Sequence, residues 1–399
     1  MNVEKVERTK SSTAATHILA PELTADFSLL GGPLHELGRR LGLVRGTNTV
    51  RMGLAIGVGL WLAILAAGFM EGLAGQLFSL KLVGINARLL VVIPLFFLCE
   101  TWVTPKMTSF VRMIVKSGVV PPGELPSLNA EVTRVKRLKD AWWPETVCLL
   151  VAVALAATRT ALMNLGTSSD VDLARTGLAA FLYFDVSLTV FRFLVFLGVW
   201  RLAQWSWFLW RVSRLDLHLI PGHPDRDGGL GSVQGVQEKF VPLVAAISVL
   251  ECAAMAEAIS TGTFAIANAY PWLTLVLMLD AALFLGPLFV FIDKLEDGRS
   301  KGMRAYSSLA ARYVTEFEAK WTAGNFPADE RLLGTPDLQS LADLANSISV
   351  VRTMRWVTIG PRLLSRLTFA ALAPLAPLLL FQYPLAELAT KLFHHLVGL

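Results

Sequence analysis

MGLAIGVGLWLAILAAGFMEGL, residues 52–73, decides the fold of this chain. The stretch contains one charged side chain, Glu71, near its end. A helix needs about 20 consecutive apolar residues to cross the hydrocarbon core of a bilayer, because each residue adds only about 1.5 Å of rise. The stretch is therefore predicted to be a membrane-spanning α-helix.

Composition extends this interpretation to the whole chain of 399 residues, of which 54% are hydrophobic and 17% charged, with a mean hydropathy of +0.54. A water-soluble protein of this length would carry about 25% charged residues. We predict an all-α, polytopic membrane protein with six transmembrane helices, at Met52–Leu73, Leu82–Val103, Trp143–Met163, Gly177–Trp200, Val241–Thr261 and Pro271–Ile292.

A seventh apolar segment, Leu367–Gln382, is short and contains Pro374 and Pro377. Proline pairs interrupt the backbone hydrogen bonds of a helix, so this segment is predicted to be a broken spanning helix or a re-entrant hairpin. The last stretch, Pro384–Leu399, places leucines on one face and charged side chains on the other, as in an interfacial helix.

Basic residues predict the orientation in the membrane. Thirty Lys and Arg lie in residues 1–51 and in loops 104–142, 201–240 and 293–366, whereas the opposite side has Lys81, Arg175 and Lys391. Because basic loops stay in the cytoplasm, this asymmetry predicts a cytoplasmic N-terminus. The predicted regions are a cytoplasmic segment 1–50, the transmembrane part 51–292, a cytoplasmic helical region 293–366, and the broken segment with its interfacial helix, 367–399.

GHPDRDGGLG, residues 222–231, is the stretch that most resembles a functional loop. It follows Pro221, which ends a helix, and its glycines permit the positive φ values of a chain reversal, so a turn is the first interpretation. An anion or lipid-headgroup site built from backbone N–H groups is the second. A metal site is the third. The candidate residues are His223, Asp225, Arg226, Asp227, Gly228 and Gly229.

This loop, together with DLQSLADLANSISVVRTMR (337–355) and PLAPLLLFQYPLAEL (374–388), resembles a widespread group of bacterial multi-pass inner-membrane proteins that share a GHPDRxGGLG loop. The resemblance covers much of the chain from about Leu182 onward. It implies a bacterial inner-membrane location and no particular activity.

Ionisable side chains within spans are costly and mark candidate functional residues. Asp185, Thr189 and Arg192 stand at i, i+4 and i+7 and are predicted to share one helix face, where carboxylate and guanidinium could neutralise each other. Arg159 needs a carboxylate partner, for which Glu251 and Asp280 are candidates. We predict either interhelical ion pairs or a polar pathway, formed by Arg159, Asp185, Thr189, Arg192, Glu251, Glu257 and Asp280.

Motifs of catalysis are missing from the sequence, which contains no HExxH, no GxSxG and no nucleotide-binding loop. We predict no catalytic residues, metal or cofactor. The predicted partners are membrane lipids and further copies of the chain in a homo-oligomer, not nucleic acid. The predicted function is an oligomeric ion channel or transporter. The alternatives are a non-conducting scaffold or sensor that signals through cytoplasmic helices, and a lipid-modifying enzyme.

Overall fold

The computed structural model describes residues 27–73, 75, 78–157, 177–263, 269–322 and 336–381. This part of the chain is helical and contains no β-strand, which confirms the all-α fold class. Its longer helices are α1 (Pro33–Arg40), α2 (Val50–Met70), α3 (Val83–Lys116), α4 (Leu125–Asp140), α5 (Trp143–Ala157), α6 (Leu178–Ser213), α7 (Ser232–Ser260), α8 (Ala269–Leu285), α9 (Ile292–Trp321), α10 (Pro336–Arg352) and α11 (Pro361–Leu372).

Within the described ranges, six helical stretches are long and apolar enough to cross a membrane. They are α2, α3, α6, α7, α8 continued into α9, and Pro361–Leu379. The predicted third span begins as α5, which is preceded by α4 at an angle of 45°; its residues beyond Ala157 lie outside the described part. The chain is therefore a multi-pass membrane protein.

The predicted seventh segment is a helix that begins at Pro361 and tightens into a 3₁₀ helix over Ala373–Phe381. Pro374 and Pro377 fall in this tighter part because a proline nitrogen has no hydrogen to donate to the preceding turn. The predicted interfacial helix, Pro384–Leu399, lies outside the described residues.

Two spanning helices depart from α-helical geometry within their first ten residues. In α3 the residues Arg88–Val92 form a π-helix, and in α6 the residues Leu182–Ser187 do the same. A π-helix bonds residue i to i+5 and widens the turn, a local distortion that is frequent at functional sites. Both distortions contribute to the site described below.

Beyond the spans, α9 and α10 pack against each other. The Tyr313 hydroxyl donates to the Asp337 carbonyl at 2.9 Å, and the carboxylate of Asp337 accepts hydrogen bonds from Lys320 and Trp321. The hydrogen bond from Lys320 holds the pKa of Asp337 below its usual value. The two helices thus form a hairpin.

Candidate functional site

The two π-helical segments meet through a buried hydrogen bond. Arg88 is the first residue of one segment and Tyr183 lies in the other, and their side chains are 0% and 1% exposed. The Nη1 of Arg88 donates to the hydroxyl of Tyr183 at 2.9 Å. The guanidinium also lies over the ring of Phe191, 5.1 Å from its centre, where the electron-rich face stabilises a cation.

Arg192 and Glu257 complete what we call the buried polar cluster, defined as Arg88, Tyr183, Arg192 and Glu257. Tyr183 interacts electrostatically with the other three residues. Glu257 is 1% exposed, and its Oε1 accepts the backbone N–H of Gly84 at 2.7 Å. This N–H belongs to the first turn of α3, where the helix dipole favours a carboxylate. The cluster therefore joins helices α3, α6 and α7.

Asp185 and Arg192 are not brought together. Asp185 is exposed on the outside of the bundle, whereas Arg192 is buried, and no ion pair links them among the described residues. Thr189 is half-buried, and its hydroxyl has no hydrogen-bond partner within the same part of the chain. The physical reason is the π-helix at Leu182–Ser187, because its wider turns break the 3.6-residue periodicity that places residues seven apart on one face.

A cavity of about 290 Å³, here called the central cavity, lies between helices α3, α6, α7 and α8. Phe191 lines it, so the ring beneath the Arg88 guanidinium also forms part of the cavity wall. Glu100 and Arg201 line it too and form an ion pair. Ten helical positions separate Phe191 from Arg201, which corresponds to about 15 Å along α6. The central cavity, lined mostly by apolar side chains, thus has Arg88 beyond one end and the Glu100–Arg201 ion pair in its wall at the other.

The two other predicted carboxylates lie on α7 and α8. Glu251 lines the central cavity and accepts the indole N–H of Trp272 at 2.8 Å. Asp280 is 5% exposed and lines a second cavity of about 210 Å³, here called the side cavity. Arg159, for which they were the candidate partners, lies outside the described residues, so that pairing stays a prediction.

The carboxylate of Asp225 organises the GHPDRDGGLG loop. Its Oδ1 accepts the backbone N–H of Asp227 at 2.8 Å, and its Oδ2 accepts those of Gly229 and Gly231 at 3.1 and 3.0 Å. The Nδ1 of His223 lies 2.9 Å from Asp225 Oδ1. The backbone N–H groups that could bind an external anion therefore already donate to the carboxylate of Asp225.

Positive φ values in this loop fall at Arg226, Gly228 and Gly229. A Cβ atom at Gly229 would stand 2.6 Å from Cγ2 of Val119, which follows α3, so the close approach requires glycine as well as the φ of +96°. These features are those of a tightly packed chain reversal.

Arg355 ties the loop to the region after α10. Its Nη1 donates to Asp227 Oδ2 at 2.9 Å, and its backbone N–H donates to the carbonyl of Arg226 at 2.8 Å. Asp227 is 1% exposed, and burial raises its pKa to about 6, although Arg355 opposes this shift. Two of the stretches on which the family resemblance rests are thus in direct contact.

Sequence reasoning missed Arg88 and Tyr183 as site residues and Arg355 as a partner of the loop. Arg88 carries a usable signal, since it is a charge at the edge of an apolar span. Tyr183 carries none, because an aromatic residue in a span is ordinarily apolar packing. Within the described ranges, no group of three His, Cys, Asp or Glu side chains is placed to hold a metal.

Comparison of the chain with known protein families, curated proteins and solved structures gives no match.

Proposed function

We propose that this protein is a homo-oligomeric membrane channel or transporter whose solute passes the buried polar cluster. The observation that carries the proposal is the meeting of two π-helical segments at Arg88 and Tyr183, with Arg192 and Glu257 beside them. Ionisable groups within a membrane bundle are retained where they serve a pathway, and π-helical turns are frequent at such sites.

The central cavity supports a pathway that continues from the cluster. It begins at Phe191, directly below Arg88, and extends to the Glu100–Arg201 ion pair. Phe96 also lines the cavity, and its ring stacks on that of Phe191 with 6.1 Å between centres. Apolar side chains between two polar sites are a known way of closing a conduction path, because they exclude water.

The substrate class that fits the cluster best is a small anion. Guanidinium groups present several hydrogen-bond donors and a fixed positive charge, and arginines line pores that conduct anions. Arg88 and Arg192 are close enough to interact electrostatically, so their fields add at one site. The hydroxyl of Tyr183, which accepts a hydrogen bond from Arg88, is a further polar group of the cluster.

The test is ion flux from liposomes that contain the purified protein, with chloride and nitrate as anions and potassium as the cation. We expect anion efflux above that of empty liposomes, and a loss of at least about tenfold in Arg192→Gln and Glu257→Gln, equivalent to about 1.4 kcal/mol. Asp185→Asn is the matched control, because Asp185 lies in the same helix but faces outward. Equal flux from protein-containing and empty liposomes would refute the proposal.

The location forms part of the proposal. The excess of basic residues on one side supports a cytoplasmic N-terminus. The resemblance of GHPDRDGGLG and the two other stretches to bacterial multi-pass proteins supports the bacterial inner membrane.

A second candidate function is a sensor that signals through its cytoplasmic helices. It is favoured by the contact of Arg355 with Asp227 and Arg226, which ties the region after α10 to the loop between α6 and α7. Flux separates the two functions. If the protein is a sensor, liposomes that contain it should show no ion flux. Binding of its ligand should instead change the environment of Trp356, which follows Arg355 in the sequence.

A further inference from the structure

Asp280 is a buried carboxylate without a hydrogen-bond partner among the described residues. Its side chain is 5% exposed, and neither carboxylate oxygen accepts a hydrogen bond within that part of the chain. The side cavity in front of it is walled by apolar side chains of α8 and α11, among them Leu277, Leu367 and Ala371. An ionised carboxylate in such a place is unfavourable unless its charge is neutralised.

The helix that carries Asp280 packs against the bundle along a narrow line. The fully buried residues of α8 are Ala269, Asp280 and Phe284, while Met278 and Leu279 on its other side are 66% and 55% exposed. The central cavity lies along one flank of α8 and the side cavity along the other. Asp280 therefore stands where the helix meets the bundle, between two spaces that side chains leave unfilled.

The surroundings favour a proton over a metal cation as the group that neutralises Asp280. Glu251 on α7 interacts electrostatically with Asp280, and it is the one charged group in the described residues that does so. Thr368 on α11 supplies the other side-chain oxygen in the side cavity. A metal cation requires several oxygen ligands, whereas a proton requires one carboxylate.

We propose that Asp280 is a proton-binding site within the membrane, which takes up and releases a proton as α8 moves against α7 and α11. The further step, that this proton is coupled to solute movement, rests on the proposed transport function. Ionised Asp280 and ionised Glu251 repel each other, because they are like charges. A proton on Asp280 removes that repulsion and allows the helices to close on the side cavity.

The first experiment is chemical and needs no transport. N,N′-dicyclohexylcarbodiimide is apolar, and a protonated carboxyl group adds across its C=N bond to give an O-acylisourea. Where water is excluded, the acyl group then migrates from oxygen to nitrogen and gives a stable N-acylurea. We expect peptide mass spectrometry to find this adduct on Asp280 in the purified protein. Labelling should fall by about tenfold per pH unit above the pH at which the proton is lost. Exposed Asp293 at the start of α9 is the control and should stay unmodified.

Several outcomes would overturn the proton site. No adduct on Asp280 at any pH at which the protein stays folded would exclude a protonated carboxyl group. Labelling that does not change with pH would exclude exchange of the proton. Protection of Asp280 by sodium ions at neutral pH would assign the site to a metal cation. Wild-type protein serves in each case, so misfolding of a variant cannot produce these results.

The second experiment tests the coupling in liposomes. We expect an inward proton gradient to change anion flux by at least about tenfold in the wild type, and to change it by less than twofold in Asp280→Asn, which cannot exchange a proton. Asp280→Glu should restore the response. A proton gradient that acts equally on the wild type and Asp280→Asn would refute coupling. Labelling of Asp280 without flux in any protein would refute the transport function and leave the proton site intact.

Discussion

The contact between Asp227 and Arg355 offers the sharpest test of how the GHPDRDGGLG loop is held. Asp227 is 1% exposed and the side chain of Arg355 is 30% exposed, so the ion pair lies at the edge of the packed interior. Removal of one member of a buried pair costs about 3–5 kcal/mol, since the other charge is left without compensation. Arg355→Ala strands the more deeply buried carboxylate, and we expect a loss of about 3 kcal/mol in the free energy of unfolding.

The reverse substitution should cost less. Asp227→Asn removes the buried charge, and the amide oxygen of asparagine can still accept the hydrogen bond from Arg355. The partly exposed guanidinium can turn toward water. The expected loss is at most about 1 kcal/mol, the net value of a single hydrogen bond, because removal of the buried charge offsets part of it. The double variant should then lose less than the sum of the two single losses, because Arg355→Ala no longer strands a charge.

Thermal unfolding of the detergent-solubilised protein measures these differences. Arg352→Ala is the matched control, because Arg352 is exposed at the end of α10 and its side chain makes no ion pair in the described residues. It should change stability by less than about 0.5 kcal/mol. Equal melting temperatures for Arg355→Ala and Arg352→Ala, or a larger loss in Asp227→Asn than in Arg355→Ala, would refute the reasoning.

Three further predictions concern the loop and the topology. Burial raises the pKa of Asp227 from 3.8 to about 6, so the folded state binds a proton on this carboxyl group more tightly than the unfolded state does. Stability should therefore fall by about 3 kcal/mol as pH rises from about 4 to about 6, and then level off. Melting curves of Asp227→Asn should lack this pH dependence. Gly229→Ala should cost at least about 2 kcal/mol in melting experiments, because of its φ of +96° and the contact with Val119. Gly235→Ala, with open space around its Cβ position, should be neutral or stabilising, and equal effects of the two substitutions would contradict the packing argument. A membrane-impermeant maleimide added to intact cells should label Thr263→Cys but not Ser300→Cys, because we propose that the basic loops lie in the cytoplasm. Labelling of both from outside would overturn this proposed orientation.

The spans were predictable because the signal is local. A run such as residues 52–73 must leave water whatever surrounds it, and its length alone matches it to a bilayer. Burial of Arg192 and Glu257 followed from the same reasoning, since a charge in an apolar helix lies at lowest cost inside the bundle. The turn at Gly228 and Gly229 could also be anticipated, because glycine marks positive φ by its own chemistry.

The tertiary structure alone decided which of these groups meet. The π-helical segment Leu182–Ser187 shifts the face of α6, so Asp185 faces outward while Arg192 joins Arg88 of another helix. The partner of Asp227 is Arg355, 128 positions along the chain. Hydropathy and residue spacing describe each helix by itself. Contacts between helices depend on how several surfaces pack at once, and that information lies in no single stretch of the sequence.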